Sequence, residues 1–132
     1  MQLINILVIE DDPADRALIE AFFLGERICN RVDYAEDIEH ARSMLQQAVE
    51  YHLILLDVHL GPASGFDLLP LLKRCQSRAE LVCMSSSADA DALFVARNGG
   101  AAFFIAKPLN IEGLRHIIGR LEHFWLGVMA TA

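Results

Sequence analysis

The sequence predicts an α/β fold, a doubly wound parallel sheet of five strands with five helices, and three observations carry that prediction. Short apolar runs alternate with segments of helical periodicity five times along the chain. The apolar runs, above all Leu53-Ile54-Leu55-Leu56, are continuous rather than alternating, as in strands buried on both faces. A hydrophobic content of 54% in 132 residues is rich for one small domain and suits a sheet covered on both sides.

Taken in order, Ile4 to Ile9 reads as the first strand, ending in Glu10-Asp11-Asp12. Asp12 before Pro13 is the signature of an N-cap followed by Pro at the first helical position. That helix is expected to run to about Leu24, with Ala14, Leu18, Ala21 and Phe22 inward and Gly25 near its end. Arg31 to Ala35 is a short second strand, and Asp37 caps a helix that places Ile38, Ala41, Leu45 and Ala48 on one face. Leu53 to Asp57 is the third strand. Ser64-Gly65 starts a helix with Phe66, Leu69 and Leu72 as core positions, and Pro70 should kink it or delay its start. Leu81 to Ser85 is the fourth strand. Asp89 to Asn98 is an Ala-rich helix carrying Leu93, Phe94 and Val95, closed by Gly99-Gly100. Ala101 to Ala106 is the fifth strand, and Asn110 caps a last helix with Leu114, Ile117, Ile118, Leu121 and Trp125 on one stripe.

Bulk properties narrow the function. A net charge of −7 argues against nucleic acid or an anionic membrane as a partner, since both call for a basic patch. No apolar run has the length of a membrane span, and the N-terminus lacks a signal-peptide pattern. Cys29, Cys75 and Cys83 are odd in number and without metal-ligand spacing, so they read as reduced thiols of a cytoplasmic protein. No repeat or linker divides residues 1–132, which read as one domain.

Four of the five strands end in or run into polar residues: Glu10-Asp11-Asp12, Asp57, Ser85-Ser86-Ser87 and Lys107. In a parallel sheet these line one edge, where open α/β folds collect their chemistry. Asp57 alone would read as a strand end or turn cap. Several carboxylates together repel one another unless a cation intervenes, and a hard divalent ion such as Mg²⁺ with oxygen ligands resolves this. A hydroxyl (Ser85) and an ammonium (Lys107) are what phosphoryl oxygens require. The set suits in-line phosphoryl transfer onto Asp57.

Those residues also resemble a family. Ile6-Leu7-Val8-Ile9-Glu10-Asp11-Asp12-Pro13 with Arg16, Ile54-Leu55-Leu56-Asp57 with Gly65, Ser85, and Ile105-Ala106-Lys107-Pro108 are similar, in order and spacing, to the motifs of two-component response regulator receiver domains. The resemblance covers nearly the whole chain and implies the flavodoxin-like strand order 2-1-3-4-5. It implies that Asp57 accepts a phosphoryl group from a sensor histidine kinase or phosphotransfer protein. It assigns Asp11, Asp57 and the backbone carbonyl of His59 to Mg²⁺, and Glu10 to a metal-bound water. Ser85 and Lys107 would hold the phosphoryl oxygens, Ser85 and Phe104 would form the switch, and Lys107-Pro108 would be cis.

Some residues depart from the family pattern. Counting back from Arg16 makes Glu10 and Asp11 the acidic pair and leaves Asp12 to capping. Ser86 replaces a small apolar residue, Gly61-Pro62 reverses a common Pro-Gly order, Phe104 stands where Tyr is frequent, and Ala102-Phe103 replaces an acidic pair. His59 and Ser87 sit beside the acceptor and could tune water access, although a solvated loop position is the simpler reading of His59. His40, His52, His116 and His123 show no ligand spacing and read as surface residues; Cys83 reads as core.

Only a last helix and a short tail follow Lys107, which favours a complete single-domain regulator whose output is another protein. Phe124, Trp125 and Phe103, with Leu126 and Met129, supply more apolar bulk than a terminal helix needs, and predict a homodimer through that helix and the adjoining strand. Asp12-Pro13-Ala14-Asp15 and Phe124-Trp125-Leu126 also resemble single-domain regulators paired with phytochrome-type histidine kinases. Two other classes compete. A degenerate receiver would only bind proteins, against the intact set Glu10, Asp11, Asp57, Ser85 and Lys107. A doubly wound phosphatase would need a second acid after the nucleophile and a cap domain, and neither is visible.

Overall fold

The computed structural model describes residues 4–25, 29–87 and 89–121. Its strands are β1 (Ile4–Ile9), β2 (Cys29–Ala35), β3 (Leu53–Asp57), β4 (Glu80–Ser85) and β5 (Ala101–Ala106). Its α-helices are α1 (Pro13–Leu24), α2 (Ile38–Leu45), α3 (Leu69–Cys75), α4 (Ala90–Asn98) and α5 (Ile111–Ile118). All neighbouring strands of the main sheet are parallel, in the order β2-β1-β3-β4-β5, so the expected doubly wound topology is the one observed. A two-residue hairpin, His59–Leu60 against Ala63–Ser64, stands at the end of β3.

Both sheet faces are apolar, which is why the central strands carry no polar alternation. Ile6, Val8, Leu53, Leu55, Val82 and Met84 pack with Ile19, Phe22 and Phe23 of α1 and Leu114 and Ile118 of α5. The intervening residues Leu7, Ile9, Ile54, Leu56, Leu81 and Cys83 pack with Ala41 and Leu45 of α2, Leu69 and Leu72 of α3 and Ala96 of α4. Every residue of β3 is buried.

The helix starts follow the capping chemistry. Asp12 accepts from the Ala14 N–H at 3.0 Å, Asp37 from His40 at 2.7 Å, Asp89 from Ala92 at 2.8 Å and Asn110 from Gly113 at 2.7 Å. Pro70 delays its helix: Gly65–Leu68 form a 3₁₀ turn capped by Ser64, and α3 begins at Leu69 with the proline in its first turn, where no amide donor is needed. The Lys107-Pro108 bond is cis.

Several expectations shift. Ala14 and Ala21 are exposed, and α1 turns Ile19, Phe22 and Phe23 inward, because two large side chains bury more apolar area than two alanines. Ala48 lies beyond the end of α2 and is exposed. β2 begins at Cys29 and β4 at Glu80, earlier than the apolar runs suggest. His52 is not a plain surface residue: it is half-buried, and its Nδ1 accepts from the Asn5 N–H at 3.0 Å. Helix α4 buries only Ala96, leaving Leu93, Phe94 and Val95 on the surface. Trp125, expected to continue the α5 stripe, and Phe124 lie outside the described residues, as does His123.

Candidate phosphoryl-acceptor site

The parallel register gathers the polar strand ends. Ile9 pairs with Leu56, Asp57 with Met84 and Ser85 with Ala106, so Glu10, Asp57, Ser85 and Lys107 meet at one edge. Glu10 follows β1 directly and is fully buried; Asp57 closes β3 and is nearly so. Lys107 reaches across from the end of β5, and its backbone N–H donates to the Ser85 carbonyl at 2.9 Å.

The Lys107 Nζ lies 2.7 Å from Glu10 Oε1, 2.8 Å from Asp15 Oδ2 and 3.1 Å from Asp57 Oδ2. The other oxygens are held by main-chain donors. Asp57 Oδ1 accepts from His59 N–H at 3.0 Å, Asp11 Oδ2 from Gly61 N–H at 2.9 Å, and Glu10 Oε2 from Asp12 N–H at 3.2 Å. Gly61 delivers its N–H from a left-handed turn at φ +61°, a conformation glycine adopts without strain. Arg16 donates to the Glu10 carbonyl at 2.9 Å, so it braces the backbone that presents the acid. Gly65 closes the loop against Asp57: a Cβ there would be driven into the Asp57 carbonyl and lie 3.2 Å from Leu56 Cδ1.

Burial and the hydrogen bonds among these groups shift their protonation. Burial, reinforced by the hydrogen bond and repulsion from Asp57, pushes the Glu10 carboxyl up to about 8. For Lys107 burial alone would disfavour the ammonium, but the bonds from Asp15, Glu10 and Asp57 outweigh it and raise its pKa. Burial works against ionisation of Asp11 too, but is outweighed by the Gly61 N–H and by hydrogen bonds with its acidic neighbours, leaving it below the usual carboxylate range. Glu10, Asp11 and Asp57 each offer an oxygen, all within 4.8 Å of one another, a donor set suited to one hard divalent cation.

Three carboxylates and one ammonium thus share the edge at the end of the central strand, and residues 6–119 match the family model described as the response regulator receiver domain. The chain belongs to the response regulator receiver family. It is 28% identical to the transcriptional regulatory protein DcuR of Escherichia coli strain K12 over 112 residues, 82% of this chain but 46% of that protein. The chain thus spans about half the length of that relative. It is 27% identical to response regulator Rcp1 of Synechocystis over 129 residues, covering 92% of this chain and 88% of Rcp1. Among solved structures, a CheY-like receiver from Methanospirillum hungatei superposes with a TM-score of 0.82 over 98% of this chain and 99% of that one, at 21% identity. The phosphorylated cyanobacterial phytochrome response regulator RcpA gives a TM-score of 0.79 at 28% identity over 96% of both chains. The Mn²⁺-bound form of Rcp1 gives 0.75 at 27% identity over 93% of this chain and 94% of that one.

Within this receiver, the structure brings together Glu10, Asp11, Asp57 and Lys107 as the sequence implied. The Asp12 side chain caps α1, while its backbone N–H donates to Glu10 Oε2. Ser85 is buried at the end of β4, but its hydroxyl bonds within its own loop, accepting from Ser87 N–H at 2.9 Å and donating to Ser87 O at 3.3 Å. The His59 side chain is exposed, with its backbone N–H on Asp57. Phe104 is half-buried on the α2–α4 side of the sheet, whereas Phe103 packs on the α1–α5 side, with the Arg120 guanidinium 5.7 Å from its ring centroid. Phe103 is therefore partly covered. The other two expected interface residues, Phe124 and Trp125, lie outside the described residues.

Asp15 is the site residue that sequence reasoning passed over. An acid in the first helical turn is ordinary dipole chemistry, so only the arrival of Lys107 exposes its role. The Asp-Pro-Ala-Asp opening was the one signal that pointed at it.

Proposed function

We propose that this receiver is a phosphoryl-accepting switch rather than a metabolic enzyme. In this reading an Asp57 oxygen attacks the phosphorus of a phosphohistidine on a sensor kinase or phosphotransfer protein. The P–N bond breaks as the P–O bond forms, and the imidazole leaves. The observation that carries the reading is the Lys107 ammonium lying between Glu10 and Asp57 beside Asp11, at the end of a fully buried central strand. Asp11, Asp57 and the His59 carbonyl would hold Mg²⁺ and Glu10 its water; the ion would neutralise charge on the transferring oxygens. Lys107 then places a positive charge beside the acceptor, and the N–H of His59 orients the Asp57 carboxylate. Ser85 serves the phosphoryl group once its hydroxyl leaves the Ser87 loop, and Phe104 responds from the same side of the sheet.

The likeness to Rcp1 and to the phytochrome response regulator RcpA, together with the short motifs at both ends of the chain, supports a phytochrome-type histidine kinase as the donor. The apolar residues around Phe103, Phe124 and Trp125 support a homodimer as the signalling form.

The reading is tested by incubating the chain with acetyl phosphate and Mg²⁺ and following intact mass. A long-lived single phosphoryl adduct, absent in Asp57→Asn, is expected. No adduct would make the chain a protein-binding module, and sustained hydrolysis of phosphate monoesters would make it a phosphatase.

A further inference from the structure

An ammonium group has three N–H donors, and at Lys107 three carboxylates take all of them. Glu10 and Asp57 belong to the trio that can surround a cation; Asp15 does not. Its contact is with Lys107 at 2.8 Å, shorter than the 3.1 Å from Lys107 to Asp57. Asp15 stands on the first turn of a capped helix, with its side chain only 20% exposed, so its charge is incompletely screened by water.

We propose that Asp15 is a positioning residue that restrains the Lys107 ammonium and thereby sets how tightly Asp57 retains a phosphoryl group. This rests on the proposed function and names a regulator of that same site. A phosphoryl group on Asp57 adds anionic oxygens to a site whose only ammonium is already saturated. For Lys107 to donate to one of them it must release an acceptor. Glu10 is fully buried, and its second oxygen is fastened by the Asp12 N–H, so it has no water to turn to. Asp15 lies nearest the rim and is rehydrated on release. Asp57 carries the new group itself, so of the two other acceptors the Lys107–Asp15 ion pair is the contact that phosphoryl binding breaks. Its loss counts against the phosphorylated state.

The test uses the full chain with Mg²⁺ and beryllofluoride, a phosphoryl mimic, titrated by calorimetry and ¹⁹F NMR. Asp15→Asn keeps the shape and removes the charge. It should tighten beryllofluoride binding by roughly tenfold, the scale of one charge-assisted hydrogen bond redirected. Mg²⁺ affinity of the unmodified protein should change far less than in Asp11→Asn. In a Lys107→Met background the Asp15→Asn gain should vanish, because the effect passes through the ammonium. Asp15→Ser should move binding in the same direction, which separates a charge effect from a folding defect in one variant. Unchanged or weaker binding in both variants overturns the proposal. So does an equal gain without Lys107, or a loss of Mg²⁺ affinity matching Asp11→Asn. A wild-type chain that takes neither beryllofluoride nor acetyl phosphate overturns the proposed function as well, whereas a normal wild-type adduct with an inert Asp15→Asn overturns this proposal alone.

Discussion

The buried Glu10 carboxyl makes the cation-free protein lose stability as pH rises, and Glu10→Gln should abolish that loss. Its pKa is displaced from an ordinary 4.5 to about 8, by burial first and then by Asp57. A group whose pKa is raised on folding stabilises fully below its unfolded value and loses that contribution as pH climbs through the folded value. The window is therefore about pH 4.5 to 8. A displacement of this size corresponds to at most about 5 kcal/mol once the carboxyl is fully ionised. For a domain of this length that is a fall in Tm of at most about 18 °C. Thermal unfolding in chelator-treated buffer, followed by circular dichroism from pH 5 to 9, measures it. Other groups titrate in both proteins, so the quantity to follow is the difference between Glu10→Gln and wild type. That difference should widen up to about pH 8 and then level off, and saturating Mg²⁺ should shrink it by neutralising Asp11 and Asp57. Parallel pH profiles for the two proteins would refute the reasoning, because they would mean Glu10 takes up no proton on folding.

Two further predictions concern packing and assembly. Gly65→Ala drives a methyl group into the Asp57 carbonyl and against Leu56, so it should cost about 1–3 kcal/mol in urea unfolding and slow phosphoryl uptake from acetyl phosphate; wild-type behaviour in both assays would show that the loop has room to yield. If the proposed homodimer forms through the last helix, Phe124→Asp and Trp125→Asp should halve the sedimentation mass, and an unaltered mass would remove that end of the chain from the interface.

Much of the fold was legible because its signals are local. Continuous apolar runs announce strands buried on both faces, and Asp12, Asp37, Asp89 and Asn110 announce the helices they cap. Where local signals competed, tertiary packing chose. The phase of α1 was decided by Ile19 and Phe23, which have more area to bury than Ala14 and Ala21. At α4 the apolar run Leu93-Phe94-Val95 stays on the surface and Ala96 is the buried residue. His52 looked like a surface residue until the folded edge placed the Asn5 N–H against it.

For the site the division follows the same physical line. Chain order and residue type alone determined that carboxylates, a hydroxyl and an ammonium would end neighbouring strands, with Asp57 the proposed acceptor among them. The tertiary structure decided which of those groups bond to which. A side chain's partners across space depend on strand register and on which donors remain unused. Neither is written in local periodicity. Hence the Ser85 hydroxyl turns to Ser87, Arg16 braces the Glu10 backbone, and Asp15, an ordinary first-turn acid in the sequence, becomes the third carboxyl group on Lys107.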